Sequence, residues 1–118
     1  MITLYGIKSC DTVRKARRWL DQHDIDYQYH DLREDGLSAA SANEWLAALG
    51  PRELVNRRST TWKTLPAELR DDMDDERALR AVLEHPTLVK RPVLDTGSEI
   101  HVGFSPERYG ALFKQHTL

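Results

Sequence analysis

The sequence predicts a mixed α/β fold in which a β-α-β unit opens the chain, helices occupy its middle and a β-β-α unit closes it. Three observations support this prediction. Alternating apolar and polar residues flank an amphipathic helix pattern near the start, the central segments have helical periodicity, and a glycine turn joins two β-like segments ahead of a final helix. The length of 118 residues suits a single domain over residues 1–118.

Composition excludes several classes of protein. Hydrophobic residues make up 40% and charged residues 31% of the chain, which is typical of a folded soluble domain. The 17 basic and 19 acidic residues leave a formal charge of −2, so the overall balance attracts neither nucleic acid nor an anionic membrane. Because the sequence shows neither a signal segment nor a long apolar run, we expect a cytoplasmic protein.

The opening segment predicts strand, helix and strand. Residues 2–6 alternate apolar and polar and end in glycine, and residues 25–30 alternate again. Residues 11–23 form an amphipathic helix on which Arg17 and Arg18 occupy polar positions, where we expect them to be solvated. Its apolar positions repeat at three and four residues and are Val13, Ala16, Trp19 and Leu20. The short connection after the helix favours a parallel pair of strands.

The middle of the chain predicts two helices separated by a loop. Residues 38–49 have one apolar face and stop at a glycine-proline pair, which ends helices. Residues 56–66 are polar, and we expect irregular structure there with Trp62 and Leu65 held against the core. Acidic residues 74–76 precede the next helical pattern, where the positive N-terminus of a helix favours them.

The last part of the chain predicts a hairpin and a helix. Residues 93–96 and 99–102 are β-like and flank Gly97 and Ser98, a two-residue turn that is typical of hairpins. Pro106 then opens a final helix, because proline is well placed in a first helical turn.

The single cysteine, Cys10, is the candidate reactive residue. It excludes an intramolecular disulfide and a zinc site with several thiolates, and the five histidines are dispersed without ligand spacing, so we expect no metal and place the histidines on the surface. Cys10 falls between the first strand and the first helix, where backbone N–H groups favour the thiolate, with Arg14 and Lys15 about one turn away. The adjacent Asp11 opposes ionisation, and the alternative is a small buried residue without chemistry.

Four segments of the chain resemble the arsenate reductase family ArsC and its relatives, which include the Spx regulators. They occur in the order and spacing of that family, and the similarity runs across almost the whole chain. The segments are Leu4–Ala16, Leu54–Trp62, His85–Pro92 and Val102–Ser105. The resemblance implies a thioredoxin-like fold, with a β-α-β plus β-β-α core and an inserted helical segment at about residues 38–88.

The resemblance also implies the site. Cys10 matches the nucleophile of the family, and Arg91 and Pro92 match an arginine followed by a cis-proline beside it. In arsenate reductases of the family three arginines hold the oxyanion, because guanidinium groups stay charged and offer forked donors. Arg91 matches one of them, and Arg57 or Arg58 matches a second. The predicted substrate-binding residues are therefore Arg14, Arg57, Arg58, Arg91 and Pro92.

The third oxyanion-binding arginine is expected near Phe104 and Ser105, where this sequence has none. We therefore expect arsenate to be a poor substrate unless another cation fills this place. The implied activity is that of a glutathione-linked thiol reductase, with glutathione as co-substrate rather than a bound cofactor. Glutathione and glutaredoxin are the expected partners, a small oxyanion or a disulfide is the substrate, and the chain is expected to act as a monomer.

Two other functions remain open. An Spx-like regulator would bind RNA polymerase without catalysis, although the C-x-x-C redox switch of Spx cannot form because Asp11, Thr12 and Val13 follow Cys10. A catalytically silent member of the fold is the third possibility. In every case the missing second thiol must come from another molecule if Cys10 forms a mixed disulfide.

Overall fold

The computed structural model describes residues 2–114 and confirms the predicted mixed α/β fold. Four strands within these residues form one sheet in the spatial order β2-β1-β3-β4. β1 pairs parallel with β2 and antiparallel with β3, and β3 pairs antiparallel with β4. The strands are β1 (Thr3–Gly6), β2 (Gln28–Asp31), β3 (Val93–Asp95) and β4 (Ile100–Val102).

One helix lies between β1 and β2, the inserted helical segment lies between β2 and β3, and a last helix follows β4, which gives the β-α-β and β-β-α units of a thioredoxin-like fold. The helices are α1 (Asp11–Gln22), α2 (Ala39–Leu54), α3 (Thr60–Thr64), α4 (Ala67–Asp71), α5 (Asp75–Glu84) and α6 (Pro106–Leu112). A 3₁₀ turn at Pro86–Leu88 leads from α5 towards β3. No helix in this part of the chain is long and apolar enough to cross a bilayer.

Two apolar clusters cover the two faces of the sheet. On β1, Leu4 belongs to the cluster that includes residues of α1 and α6, whereas Tyr5 packs against the larger cluster formed by the inserted helices. The neighbouring residues Leu94 and Val93 on β3 divide in the same way. Because successive strand residues point to opposite faces, alternation along β1 and β3 builds both clusters at once.

The inserted segment differs from its prediction in three places, one of which is α4 (Ala67–Asp71), a helix that was not predicted. Gly50 ends the first run of α2 as expected, with a φ of 79° that suits glycine, but helical structure resumes at once and runs to Leu54. The predicted loop at 56–66 was wrong for Thr60–Thr64, because the Ser59 side chain accepts a hydrogen bond from the Trp62 N–H at 3.1 Å and caps α3. The inserted segment therefore holds four helices among the described residues, not two.

Arg17 also departs from its prediction. Its Nε donates a hydrogen bond to the Tyr27 hydroxyl at 3.2 Å, and its guanidinium lies 4.0 Å from the centre of the Tyr29 ring. The expectation of a solvated side chain was therefore wrong, because β2 and the segment before it bring two tyrosines beside the polar side of α1. Arg18 is exposed, as expected.

Candidate active site

Cys10 lies at the N-cap of α1, at the end of a tight loop that follows β1. Its backbone N–H donates to the Ile7 carbonyl at 3.0 Å, and its carbonyl accepts from the Arg14 N–H at 3.1 Å, so the loop and the first helical turn fix its backbone. The side chain is half-buried and makes no capping hydrogen bond. The thiol is therefore held in place by the backbone and is open to a reactant.

The thiol opens onto a cleft of about 350 Å³, which we call the Cys10 cleft. Two arginines, Arg33 and Arg91, line it together with Cys10. Neither guanidinium forms a hydrogen bond or an ion pair with any residue between 2 and 114. Most of the other lining side chains are hydroxyls and an amide, namely Ser9, Asn56, Ser59, Thr60, Thr61 and Thr87. Two unpaired cations therefore share the cleft with the thiol.

Arg91 precedes Pro92 through a cis peptide bond, as the family resemblance implied. Arg33 was missed, because it follows β2 in a polar stretch that carries no catalytic motif. The available signal was its position just after the carboxyl end of β2, which is parallel to β1, since residues that follow neighbouring parallel strands meet at one edge of a sheet.

Asp31, the last residue of β2, joins the two loops of the cleft. Its buried carboxylate accepts hydrogen bonds from the backbone N–H groups of Arg33, Glu34 and Lys8 at 2.8, 3.0 and 3.2 Å. Burial raises the pKa of Asp31, but these backbone donors and the Tyr29 hydroxyl more than offset it and hold the pKa below its ordinary value. One ionised carboxylate thus fixes the Arg33 turn against the loop that carries Cys10.

Two further contacts support this arrangement. The exposed Lys8 ammonium lies 3.0 Å from a Glu34 carboxylate oxygen, which adds a second link between the same loops. The Tyr29 hydroxyl donates to Asp31 at 3.3 Å, and burial followed by the charge of Asp31 raises the pKa of Tyr29 to about 12. Tyr29 therefore remains a hydrogen-bond donor at any physiological pH.

The remaining predicted arginines lie outside the Cys10 cleft. Arg14 pairs with Asp11 on the exposed side of α1 and lines a separate depression on that helix. This contact, first through its hydrogen bond and then through its charge, lowers the pKa of Asp11. Arg57 and Arg58 line a neighbouring cleft that shares Asn56 with the first. Their substrate-binding roles stay predictions.

Phe104 and Ser105, where a third arginine was expected, make contacts that support α6. The Phe104 ring packs edge-on against Tyr109 with centroids 4.7 Å apart, and Ser105 caps α6 by accepting the Arg108 N–H at 3.1 Å. Arg108 does not replace the missing residue, because its Nη1 donates to the Val102 carbonyl at 3.0 Å. Arg33 is instead the second guanidinium beside the thiol.

Metal binding has no support in residues 2–114, where no three His, Cys, Asp or Glu side chains come together in a way that could hold an ion. His23 and His85 are exposed, whereas His30 and His101 are half-buried, so the surface prediction was wrong for the latter two. His30 lies 2.6 Å from the Gly36 carbonyl through its Nε2 and packs against Tyr5. His116 lies outside the described residues.

Comparison with known proteins places this chain in a family. The solved structure of the YffB protein is 40% identical, with a TM-score of 0.90 over 94% of this chain and 97% of that one. An arsenate reductase (ArsC) related protein from Brucella melitensis is 43% identical, with a TM-score of 0.77 over 96% and 94% of the two chains. The global transcriptional regulator Spx of Listeria innocua is 31% identical over 109 residues, which are 91% of this chain and 82% of the regulator.

The family profile gives the same result over most of the sequence. The profile of the ArsC family matches residues 5–112, which include the Cys10 loop, the inserted helices, the cis Arg91–Pro92 bond and all of α6. The chain therefore belongs to the ArsC family.

Proposed function

We propose that the chain is a glutathione-linked thiol reductase of the cytoplasm in which the Cys10 thiolate is the nucleophile. The thiolate attacks one sulfur of a disulfide substrate, the substrate S–S bond breaks, and the other sulfur leaves with the electron pair and takes a proton. Cys10 is then held in a mixed disulfide, and glutathione or glutaredoxin releases it by a second exchange. No second cysteine exists in the chain to perform that step.

The observation that carries this proposal is the composition of the Cys10 cleft. An unbonded, half-buried thiol at a helix N-cap faces the same space as two guanidinium groups that have no partner in the described residues. Helix N-termini and cations favour the thiolate over the thiol, and guanidinium groups bind carboxylates and oxyanions. The surrounding hydroxyls supply neutral hydrogen bonds for a peptide-like or oxyanion ligand.

Arsenate reduction is the narrower activity to be tested. The Brucella relative is described as arsenate reductase related, which supports arsenate as a candidate substrate for this chain as well. However, Phe104 and Ser105 stand where the family has its third arginine, and removal of one charge-assisted donor costs about 1.5–3 kcal/mol. We expect weak arsenite production, with disulfides as the better substrates.

The direct experiment is reduction of hydroxyethyl disulfide by glutathione, coupled to glutathione reductase, together with intact-mass detection of a glutathionyl adduct. The wild type should turn over and should form the adduct on Cys10. Cys10→Ser should do neither while it keeps the wild-type circular dichroism spectrum, because serine retains size and N-cap capacity but not the nucleophile. Turnover by Cys10→Ser at the wild-type rate would refute the mechanism.

A non-catalytic regulator is the second candidate, supported by the 31% identity to Spx from Listeria innocua. Such a protein would bind RNA polymerase whether or not Cys10 is reactive. Pull-down of the purified polymerase α-subunit by the wild type and by Cys10→Ser separates the two candidates. Binding by both proteins, without disulfide turnover by the wild type, would favour the regulator.

A further inference from the structure

A second cleft, of about 330 Å³, adjoins the Cys10 cleft, and Asn56 lines both. Its walls carry four cations and no acidic side chain. We call these cations the basic shelf; they are Arg52, Arg57, Arg58 and Lys90, and the remaining lining residues are Val55 and Asn56. All four are exposed. In a chain with a formal charge of −2, this is a local concentration of positive charge next to the Cys10 cleft.

The backbone beneath the basic shelf forms a platform, in which residues 54–56 are hydrogen-bonded to residues 88–90. Val55 and Val89 form an antiparallel bridge, and the Lys90 N–H donates to the Leu54 carbonyl at 2.7 Å. The Asn56 N–H donates to the Leu88 carbonyl, also at 2.7 Å. The apolar side chains of this platform are buried, so its solvent side carries the charges. Two segments far apart in sequence are thus joined to place Lys90 beside the cations of residues 52–58.

The cations of the shelf have no anionic partner in the described part of the chain. The ion pairs formed there join other residues, at Lys8, Arg14, Arg77 and His101. Arg57 lies 5.5 Å from the centre of the Trp62 ring, a contact that orients the guanidinium and leaves its charge uncompensated. Like charges held together without a counter-ion favour binding of an anion.

We propose that the basic shelf binds the carboxylates of the external thiol that releases Cys10. This inference rests on the proposed function, because a chain with one cysteine must draw its second thiol from outside. In the release step the external thiolate attacks the substrate sulfur of the mixed disulfide, and the bond to Cys10 Sγ breaks. The electron pair stays on Sγ as a thiolate, and the product is a disulfide between the external thiol and the substrate group. The ligand class is therefore a thiol that carries one or more carboxylates.

The binding test uses S-methylglutathione, which keeps the carboxylates of glutathione but cannot exchange, and the full-length Cys10→Ser protein. The shelf variant Arg52→Gln/Lys90→Gln is compared with Arg18→Gln/Arg80→Gln, which removes two exposed cations that do not line the shelf cleft. We expect the Kd for S-methylglutathione to rise about three- to tenfold in the shelf variant and to stay unchanged in the control variant, because the shelf variant loses two exposed ion pairs with the ligand. Equal Kd values for S-methylglutathione in the two variants, or no binding of it by the Cys10→Ser protein itself, would overturn the inference.

The kinetic test compares three thiols on a preformed mixed disulfide of Cys10 with 2-mercaptoethanol, followed by intact mass. Glutathione is anionic, 2-mercaptoethanol is neutral and cysteamine is cationic. The ratio of the glutathione rate to the neutral-thiol rate should fall about three- to tenfold in the shelf variant, and in the wild type it should fall as salt is raised. A ratio unchanged by the shelf variant would overturn the inference.

The two tests separate this inference from the proposed function. Binding of S-methylglutathione does not depend on a reactive thiol, since it is measured on Cys10→Ser. If the shelf variant weakens that binding while wild-type Cys10 turns over no disulfide, the shelf is supported and the reductase is refuted. If disulfide turnover depends on Cys10 but both shelf readouts are unchanged, the reductase stands and the shelf is refuted.

Discussion

At the scale of single residues, arginines that look alike in the sequence have different surroundings in the structure, and only some of them line the Cys10 cleft. Arg33 and Arg91 line the cleft of the thiol and have no partner among the described residues, whereas Arg17 donates a hydrogen bond to Tyr27 and lies over the Tyr29 ring. An arginine on the polar face of an amphipathic helix is expected to be solvated. Only the packing of β2 and the segment before it shows that Arg17 instead contacts two tyrosines. The two unpaired guanidinium groups are therefore the ones whose removal should affect the reaction.

We expect Arg91→Ala to lower kcat/KM for glutathione-dependent disulfide reduction by about ten- to a hundredfold, as loss of a charge-assisted donor does. Arg33→Ala should lower it by about three- to tenfold, because Arg33 is exposed and its charge is screened. Arg18→Ala, which removes an exposed cation outside the cleft, serves as the control. Arg33→Lys should restore part of the loss. Equal effects of all three alanine variants would place the substrate elsewhere.

The buried carboxylate of Asp31 should make stability depend on pH in a defined direction. Its folded pKa lies below the unfolded value of about 4, so its contribution is present above that value and is lost as the pH falls through the folded pKa. Asp31→Asn should therefore be less stable than the wild type near neutral pH, and the difference should shrink below about pH 4. Urea unfolding at several pH values measures this. A difference that stays constant down to acidic pH would contradict the assignment.

At the scale of elements, the geometry of the site depends on how closely α1 packs against β1. Gly6 ends β1 just before the Cys10 loop, and a Cβ built there would lie 2.7 Å from both methyl groups of Val13. The chain uses glycine at this position to bring a helix against a strand end, and Cys10 sits at the end of the loop between them. The close approach of α1 to the end of β1 therefore fixes where the N-cap of α1, and with it Cys10, lies.

Gly6→Ala should destabilise the fold by about 1–3 kcal/mol and should lower activity further than stability alone explains, because α1 must move to relieve the clash. Gly110→Ala is the matched control, since a Cβ on Gly110 meets nothing within 4 Å and its position inside α6 favours alanine. We expect that variant to gain about 0.5–1 kcal/mol with unchanged turnover. Thermal unfolding and disulfide reduction give both readouts. Equal stability of the two variants would contradict the close contact.

At the scale of the whole molecule, the sheet joins two apolar clusters that are predicted to unfold as one domain. Trp45, with no exposed surface, belongs to the larger cluster, and Trp19 packs against the smaller one. β1 and β3 contribute neighbouring residues to both clusters. Loss of packing in one cluster should therefore also lower the stability of the other cluster.

Trp45→Ala should cost about 3–5 kcal/mol, as removal of a large buried side chain does. Trp45→Phe should cost less, because the Trp45 Nε1 has no hydrogen-bond partner among the described residues that the change could remove. Urea unfolding is followed by circular dichroism and by Trp19 fluorescence, in a Trp62→Phe background so that Trp19 is the remaining tryptophan. The two probes should shift together. Separate transitions would show that the clusters unfold independently.

The sequence by itself determined the order of the main elements and the position of the candidate reactive residue, Cys10. Period-two and period-3.6 patterns are local, so β1, α1, α5, the hairpin and α6 follow from the residues within each segment. The location of Cys10 at a helix N-cap is equally local. The resemblance across four segments then implied the family and the cis Arg91–Pro92 bond, both of which are confirmed.

Only the tertiary structure showed that Arg33 shares the cleft with the thiol, and that Arg14, Arg57 and Arg58 do not line it. The family resemblance had already placed Arg91 beside Cys10, but Arg33 follows a different strand, and no local pattern shows that its loop converges on Cys10. The bridge between Val55 and Val89 likewise brings Lys90 to the basic shelf. Short helices such as α3 depend on one capping side chain and on packing of the partly buried Trp62 against the larger cluster more than on propensity. Contacts between distant segments carry this information, because charge and burial are properties of the assembled surface and not of any single segment.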